Sequence, residues 1–231
     1  MKKVAIVTGA SSGLGREFAV QIAQKYRMID EIWLIARRKE RLAEVKNEIN
    51  AVSDKLVRIL ALDLTKESDI NFYRNLLERQ DPSIRVLVNA AGYGIAGHFE
   101  DMAVDDVTGM LDLNCRALAA ITHISLPYMS EPSNIINLAS SAAFLPQPSF
   151  AIYAASKSMV LSFSRALNRE LEGRGITVTA VCPGPVKTEF FDVAQKYIKS
   201  KPYKMILRAN PKKVVKKALI DSYYMGEMSV Y

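Results

Sequence analysis

The feature that most restricts the fold is an alternation of short apolar runs with longer amphipathic stretches. Runs rich in Val, Ile and Leu occupy 3–8 (KVAIVT), 31–36 (EIWLIA), 56–62 (LVRILAL), 84–89 (IRVLVN), 134–139 (NIINLA) and 176–182 (ITVTAVC). Helical patterns lie between them, near 13–26, 39–51, 67–80, 104–129 and 151–172. Strands that are apolar almost throughout are buried on both faces. Interleaved with helices through right-handed crossovers, they make a doubly wound parallel sheet. The expectation is an α/β chain of Rossmann type, a single domain over 1–231, with a mostly parallel sheet of six to seven strands. A further helix over 210–222 and the run GEMSVY (226–231) predict the seventh strand. A chain of 231 residues suits one large domain and is short for two. Ligands of such sheets bind at the carboxyl ends of the strands, so the residues after each run are the functional candidates.

The first run ends in TGASSGLG (8–15). Gly9, Gly13 and Gly15, with Ser11, Ser12 and Leu14 between them, permit a tight turn and close approach of backbone to a pyrophosphate at the amino end of the next helix. A plain turn would also use glycine, but a glycine trio between strand and helix points to a dinucleotide. The spacing is G-x-x-x-G-x-G, not G-x-G-x-x-G, and the missing Lys-Ser/Thr pair excludes a P-loop.

In YAASK (153–157), Tyr153 and Lys157 are four apart and share a helix face. A free tyrosine titrates near ~10, and a neighbouring ammonium favours the phenolate, making the phenol a workable proton donor and acceptor. Ser140 closes the fifth run, where its hydroxyl can polarise a substrate carbonyl; Ser141 is the adjacent alternative. Asn114 sits inside an otherwise apolar helical stretch, and an unbonded buried amide costs about 1–3 kcal/mol, so something must bond it. Read as packing alone, Tyr153 would be core, Lys157 would snorkel, Ser140 would cap and Asn114 would be exposed.

Taken together, TGASSGLG, NAAG (89–92), Ser140 followed by YAASK, and PGPVKT (183–188) resemble the short-chain dehydrogenase/reductase family over essentially the whole chain. The resemblance implies Tyr153 as general acid/base, Lys157 as its tuner and ribose anchor, and Ser140, favoured over Ser141, as donor to the substrate oxygen. It implies that Asn114 marks a helix distortion and holds a proton-relaying water. It assigns Asp63 to the adenine amino group with a backbone contact from Leu64. Asn89, Ala90, Ala91 and Gly92 would lie beneath the cofactor, and Pro183, Gly184, Val186 and Thr188 would hold the nicotinamide carboxamide. Other readings stay open: Asp63 as a turn or cap residue, Asn89 as an amide tying strands, the prolines as loop stiffeners.

The second run ends WLIARRKERL, with Ala36 where NAD-preferring relatives carry an acid. A carboxylate there would repel a 2′-phosphate, whereas Arg37, and next Arg38, offer it charge-assisted donors. The expectation is NADP(H) over NAD(H), against the reading of Arg37, Arg38 and Lys39 as a solvated turn. The net charge of +7 and pI near 9.3 come without a nucleic-acid-binding motif, which suits a phosphate-bearing ligand.

Residues 188–210 match the family's substrate lid; their aromatics suggest an apolar substrate, their lysines an acidic or acyl-carrier-linked one. Cys115 and Cys182 lack metal-like spacing and fit a reducing compartment. The opening apolar run is a strand and not a signal, and no run is long enough to span a bilayer, so a cytoplasmic protein without a membrane anchor is expected. No metal site is expected. His98 reads as a surface residue and His123 as packing. Relatives assemble through the helices at 104–129 and 151–172, which implies a homodimer or homotetramer. The functional expectation is an NADP(H)-dependent oxidoreductase moving a hydride between nicotinamide and a small carbonyl or secondary-alcohol substrate. The alternative is a non-catalytic NADP(H)-binding sensor or scaffold, which would have no need of the Ser–Tyr–Lys set.

Overall fold

A computed structural model describes residues 1–198, 208–224 and 228–230. The strands are β1 (Lys3–Thr8), β2 (Glu31–Ala36), β3 (Leu56–Ala61), β4 (Ser83–Asn89), β5 (Met129–Leu138), β6 (Ile176–Cys182) and β7 (Met228–Val230). They form one sheet in the order β3-β2-β1-β4-β5-β6-β7, with every pairing parallel. The helices are α1 (Gly13–Lys25), α2 (Lys39–Asn50), α3 (Glu67–Gln80), α4 (Val104–Leu111), α5 (Leu118–Ser125), α6 (Ala151–Leu171), α7 (Phe190–Ala194) and α8 (Pro211–Tyr224).

Alternate strand residues feed two cores, as the two-residue period of a strand requires. Val4 and Ile6 of β1, with Trp33 and Ile35 of β2, pack under Tyr73 of α3, Ile121 of α5 and Leu167 of α6. Ala5 and Val7, with Ile32 and Leu34, pack under Phe18 and Ile22 of α1, Leu42 of α2 and Val215 of α8. The strand order runs outward in both directions from β1 and β4. The crevice of a doubly wound sheet opens at that reversal, between the turn after Thr8 and the segment after Asn89.

Two expected elements differ. β5 begins at Met129, five residues before the apolar run, because Met129 pairs with Ile84 across a register shift. The polar residues 130–134 gave no alternation to reveal it. The single helix expected over 104–129 is broken: α4 gives way to a π-helical turn at Asp112–Ala117, then α5, then a 3-10 turn at Leu126–Tyr128 that contains Pro127. A π turn widens the helix by one residue, and such bulges often aim side chains at functional sites. His123, expected to pack, is exposed. The buried stripe of α5 runs through Leu118, Ile121, Thr122 and Ser125, which turns His123 to the opposite side. Part of the expected lid, 199–207, and residues 225–227 and 231, which include both ends of the run expected as the seventh strand, lie outside the described residues.

Candidate active site

Three loops meet at the strand reversal. Thr8, buried at the end of β1, accepts hydrogen bonds from the backbone N–H groups of Ala90 and Ala91, both at 3.1 Å. One threonine therefore ties the glycine turn to the start of the loop after β4. Gly9 has φ of +65°, and a Cβ there would meet the Ala90 carbonyl oxygen at 2.6 Å. No other residue suits both the left-handed backbone and that close approach. Sequence reasoning passed over Thr8 because nothing in its spacing marks a buried hydroxyl as an acceptor.

Asn89 is buried, and its side-chain amide donates to Asn137 of β5 at 2.8 Å and to Thr122 of α5 at 2.9 Å. Its amide is thus engaged in holding the strand ends together. Asp63 forms a turn, its carboxylate accepting from the Thr65 N–H and hydroxyl at 3.1 and 2.7 Å. Burial works against its charge, but the bonds from Thr65 and the proximity of Arg37 and Lys66 hold its carboxyl below the usual range. Leu64 packs into one core and Leu14 against the other.

The reacting groups come from β5 and α6. Tyr153 and Lys157 lie one helical turn apart, both buried. The Lys157 ammonium donates to the Leu138 carbonyl at 2.6 Å and lies 5.8 Å from the centroid of the Tyr153 ring. Ser140 Oγ accepts from the Ala142 N–H at 3.1 Å, which leaves its proton free to donate, and its hydroxyl is near enough to Tyr153 to act against the rise of the phenol. Ser141 turns its backbone N–H to the Pro183 carbonyl at 3.0 Å, tying this segment to the loop after β6.

The electrostatics differ from the sequence expectation. Burial pushes the Tyr153 phenol up to about 12, with the Ser140 hydrogen bond pulling the other way. Burial also lowers Lys157 to about 8. Without further positive charge the ammonium does not outweigh the loss of solvent around the phenol, because desolvation penalises both charged forms at once. The pair forms a site in which the lysine gives up its proton more readily than usual and the tyrosine holds its own more tightly.

Asn114 lies in the π turn and is fully bonded. Its Oδ1 accepts from the Tyr93 N–H at 3.0 Å, and its Nδ2 donates to the Tyr93 carbonyl at 2.9 Å and to Ser156 Oγ at 3.0 Å. Ser156 in turn donates to the Tyr153 carbonyl at 2.7 Å. The amide therefore ties the loop after β4 to the helix that carries the tyrosine and lysine. A Cβ on Gly92 would fall 2.8 Å from Asn114 Oδ1 and 3.5 Å from Lys157 Nζ. Only glycine leaves room between those two groups.

An apolar wall surrounds the phenol. Phe150 meets Tyr153 edge-on at 5.5 Å, Phe190 of α7 lies 5.4 Å away, and Ile95 and Met110 complete the cluster. The loop after β6 is fixed by Ala209, which donates to the Pro185 carbonyl and accepts from the Lys187 N–H, and Val186 is buried. Gly184 is half-buried beside it. Thr188 lies over the glycine turn, 3.5 Å from where a Gly13 Cβ would be. Among the described residues no group of three His, Cys, Asp or Glu side chains could hold a metal ion. His98 is exposed outside this cluster.

The short chain dehydrogenase family model matches residues 3–198, which takes in the glycine turn, Ser140, Tyr153, Lys157 and the loop after β6. The chain belongs to the short-chain dehydrogenase family. This dehydrogenase is 34% identical over 197 residues to sulfoacetaldehyde reductase 2 of Chromohalobacter salexigens, a match covering 82% of this chain and 75% of the relative. It is 32% identical over 189 residues to an uncharacterized oxidoreductase of Staphylococcus epidermidis, covering 81% and 79% respectively. Its fold superposes with a TM-score of 0.87 on a short-chain dehydrogenase from Sphingobium yanoikuyae in complex with NADPH, at 29% identity, over 100% of this chain and 87% of that one. The dehydrogenase is accordingly an oxidoreductase built on a nucleotide-binding Rossmann fold, and among the described residues no helix is long and apolar enough to cross a membrane.

Two arginines, Arg37 and Arg38, follow β2. Arg38 donates to the hydroxyls of Ser11 and Ser12 at 3.2 and 3.1 Å, so a guanidinium and two hydroxyls gather beside the glycine turn. Arg37 is exposed next to Ala36 and lies close enough to Asp63 to lower its carboxyl. Sequence reasoning ranked Arg37 above Arg38; in the structure it is Arg38 that reaches the turn.

Proposed function

We propose that this dehydrogenase is an NADP(H)-dependent oxidoreductase that interconverts a carbonyl and a secondary or primary alcohol. The observation that carries the reading is the convergence of Ser140, Tyr153 and Lys157 at the strand reversal, beside a turn where Ser11, Ser12 and Arg38 gather. The glycine turn, Arg37, Arg38 and Thr188 would hold the cofactor, with Asp63, Leu64, the backbone of 89–92 and the loop 183–188 along its length. When bound, NADP(H) supplies or accepts the hydride.

The chain's own groups handle the oxygen and its proton. The Ser140 hydroxyl, its lone pair already engaged by the Ala142 N–H, donates to the substrate oxygen and polarises the carbonyl. In the reducing direction the Tyr153 phenol protonates that oxygen as negative charge develops on it. Lys157, lowered to about 8, can replace the tyrosine's proton near neutral pH. The phenol's rise to about 12 makes it protonated and ready to donate. Asn114 positions the loop and helix between which these groups stand. The wall of Phe150, Phe190, Ile95 and Met110 excludes water and favours an apolar substituent on the carbonyl carbon. We take the enzyme to act in the cytoplasm as a homodimer or homotetramer.

Consumption of NADPH by purified protein with a panel of ketones and aldehydes tests this reading, with Tyr153→Phe beside the wild type. Turnover by the wild type and a loss of about 10²–10⁴-fold in the variant are expected, the range of a lost general acid. Turnover that survives the substitution would remove the tyrosine from the mechanism. Tight NADPH binding without any turnover would favour the sensor instead.

A further inference from the structure

Arg38, read above as a ligand of the cofactor's 2′-phosphate, already has an anion. Glu189, between Thr188 and the start of α7, forms ion pairs with Arg38 at 3.5 Å and with Arg41. Arg38 therefore links its own loop after β2 to two segments distant in sequence: the glycine turn through Ser11 and Ser12, and the loop after β6 through Glu189. Glu189 makes no capping bond to α7 with its side chain. Its carboxylate is directed at the arginines and not at its own helix. The bonds from Arg41 and Arg38 hold that carboxyl below its ordinary range, so it is charged at neutral pH.

We propose that Glu189 is a specificity-determining residue, an internal anion that competes with the cofactor's 2′-phosphate for Arg38 and so limits the enzyme's discrimination between NADP(H) and NAD(H). The inference rests on the NADP(H) reading above. A 2′-phosphate and a carboxylate both seek the fork of a guanidinium, and like charges on one guanidinium repel. A ligand with a bare 2′-hydroxyl brings no such charge, so it has no need to displace Glu189. The three charged side chains are about half exposed, which keeps the competition modest: an exposed pair of this kind shifts affinity about fivefold or less.

The test is calorimetric binding of 2′,5′-ADP and of 5′-ADP to the wild type and to Glu189→Gln, which requires neither nicotinamide nor turnover. Glu189→Gln is expected to tighten 2′,5′-ADP by about threefold to fivefold while leaving 5′-ADP unchanged. Unchanged 5′-ADP affinity also shows that the variant keeps its folded nucleotide site. If the wild type prefers 2′,5′-ADP and the variant's preference is equal or smaller, the competition is refuted while the NADP(H) reading stands. If the wild type shows no preference and the variant acquires one, the competition is upheld and it is the wild-type cofactor assignment that fails. Absence of preference in both proteins overturns both.

Discussion

Lys157 and Leu138 are joined by a 2.6 Å hydrogen bond from the ammonium to the backbone carbonyl at the end of β5, which fixes the lysine over the face of Tyr153. That bond places a buried lysine where it carries its charge reluctantly, and the consequence is visible in stability against pH. Lys157 titrates near 8 in the folded chain against 10.5 as a free side chain. Below pH 8 both states are protonated and the folded protein bears the whole penalty of the buried charge. From 8 to 10.5 the unfolded chain holds the proton that the folded one has released, so stability rises with pH. Cys182, raised to about 11 from 9, and Tyr153, raised to about 12 from 10, act in the opposite sense above pH 9 and 10. The clean window is therefore pH 8 to 9. Urea denaturation across it should show a rising stability in the wild type that is absent in Lys157→Met; equal slopes would contradict the buried, deprotonating lysine.

The Thr8 hydroxyl accepts from two backbone N–H groups, so its removal should be felt out of proportion to its size. Thr8→Val keeps the shape and leaves the Ala90 and Ala91 donors without their acceptor, a loss of about 1–3 kcal/mol. Thr8→Ser should restore most of it. Thermal melts check the stability, and nucleotide titration checks the coupling between the two loops, with weaker binding expected in Thr8→Val.

Much of this arrangement could be read from the chain. Strands buried on both faces leave unbroken apolar runs, so β1, β2 and β6 fell where the pattern put them, and the glycine turn announced the crevice. Asn114 was noticed because an amide among apolar residues needs partners, and its partners proved to be the Tyr93 backbone and Ser156. What stayed hidden depends on the third dimension. The spacing of Tyr153 and Lys157 reveals a shared face but not how dry it is, so the direction of the phenol's shift was missed. Glu189 lies 151 residues beyond Arg38 and 148 beyond Arg41, and no local pattern brings it to them. The early start of β5 was masked by polar residues that a register shift makes acceptable.

Asn114→Ala should separate positioning from chemistry. The substitution deletes the reciprocal bonds to the Tyr93 N–H and carbonyl and the bond to Ser156, with an expected destabilisation of about 1–3 kcal/mol. Because Ser156 leads on to the Tyr153 carbonyl, kcat should fall more than nucleotide affinity. A variant with full kcat and a lowered Tm would confine Asn114 to a structural role.

Gly94 offers the sharpest test of the aromatic wall. A Cβ at this position would stand 2.6 Å from Tyr153 Cδ2 and 2.9 Å from Phe190 Cζ, both inside van der Waals contact. Two buried or half-buried rings held by Phe150 and Phe191 have little freedom to retreat, so one of them must leave its place. If Tyr153 moves, the phenol loses its alignment with Ser140; if Phe190 moves, α7 shifts and the wall opens. Gly94→Ala is therefore expected to cost about 1–3 kcal/mol of stability as an overpacking substitution and to lower kcat by tenfold or more, since a misplacement of about 1 Å can lose about 10²-fold. Nucleotide affinity, set at the far end of the crevice, should be unchanged. The companion Gly94→Ala/Phe190→Leu variant should recover stability and part of kcat, because a smaller side chain gives Tyr153 room to return. Recovery of neither would mean that Gly94 is required for something other than the space it leaves beside the phenol.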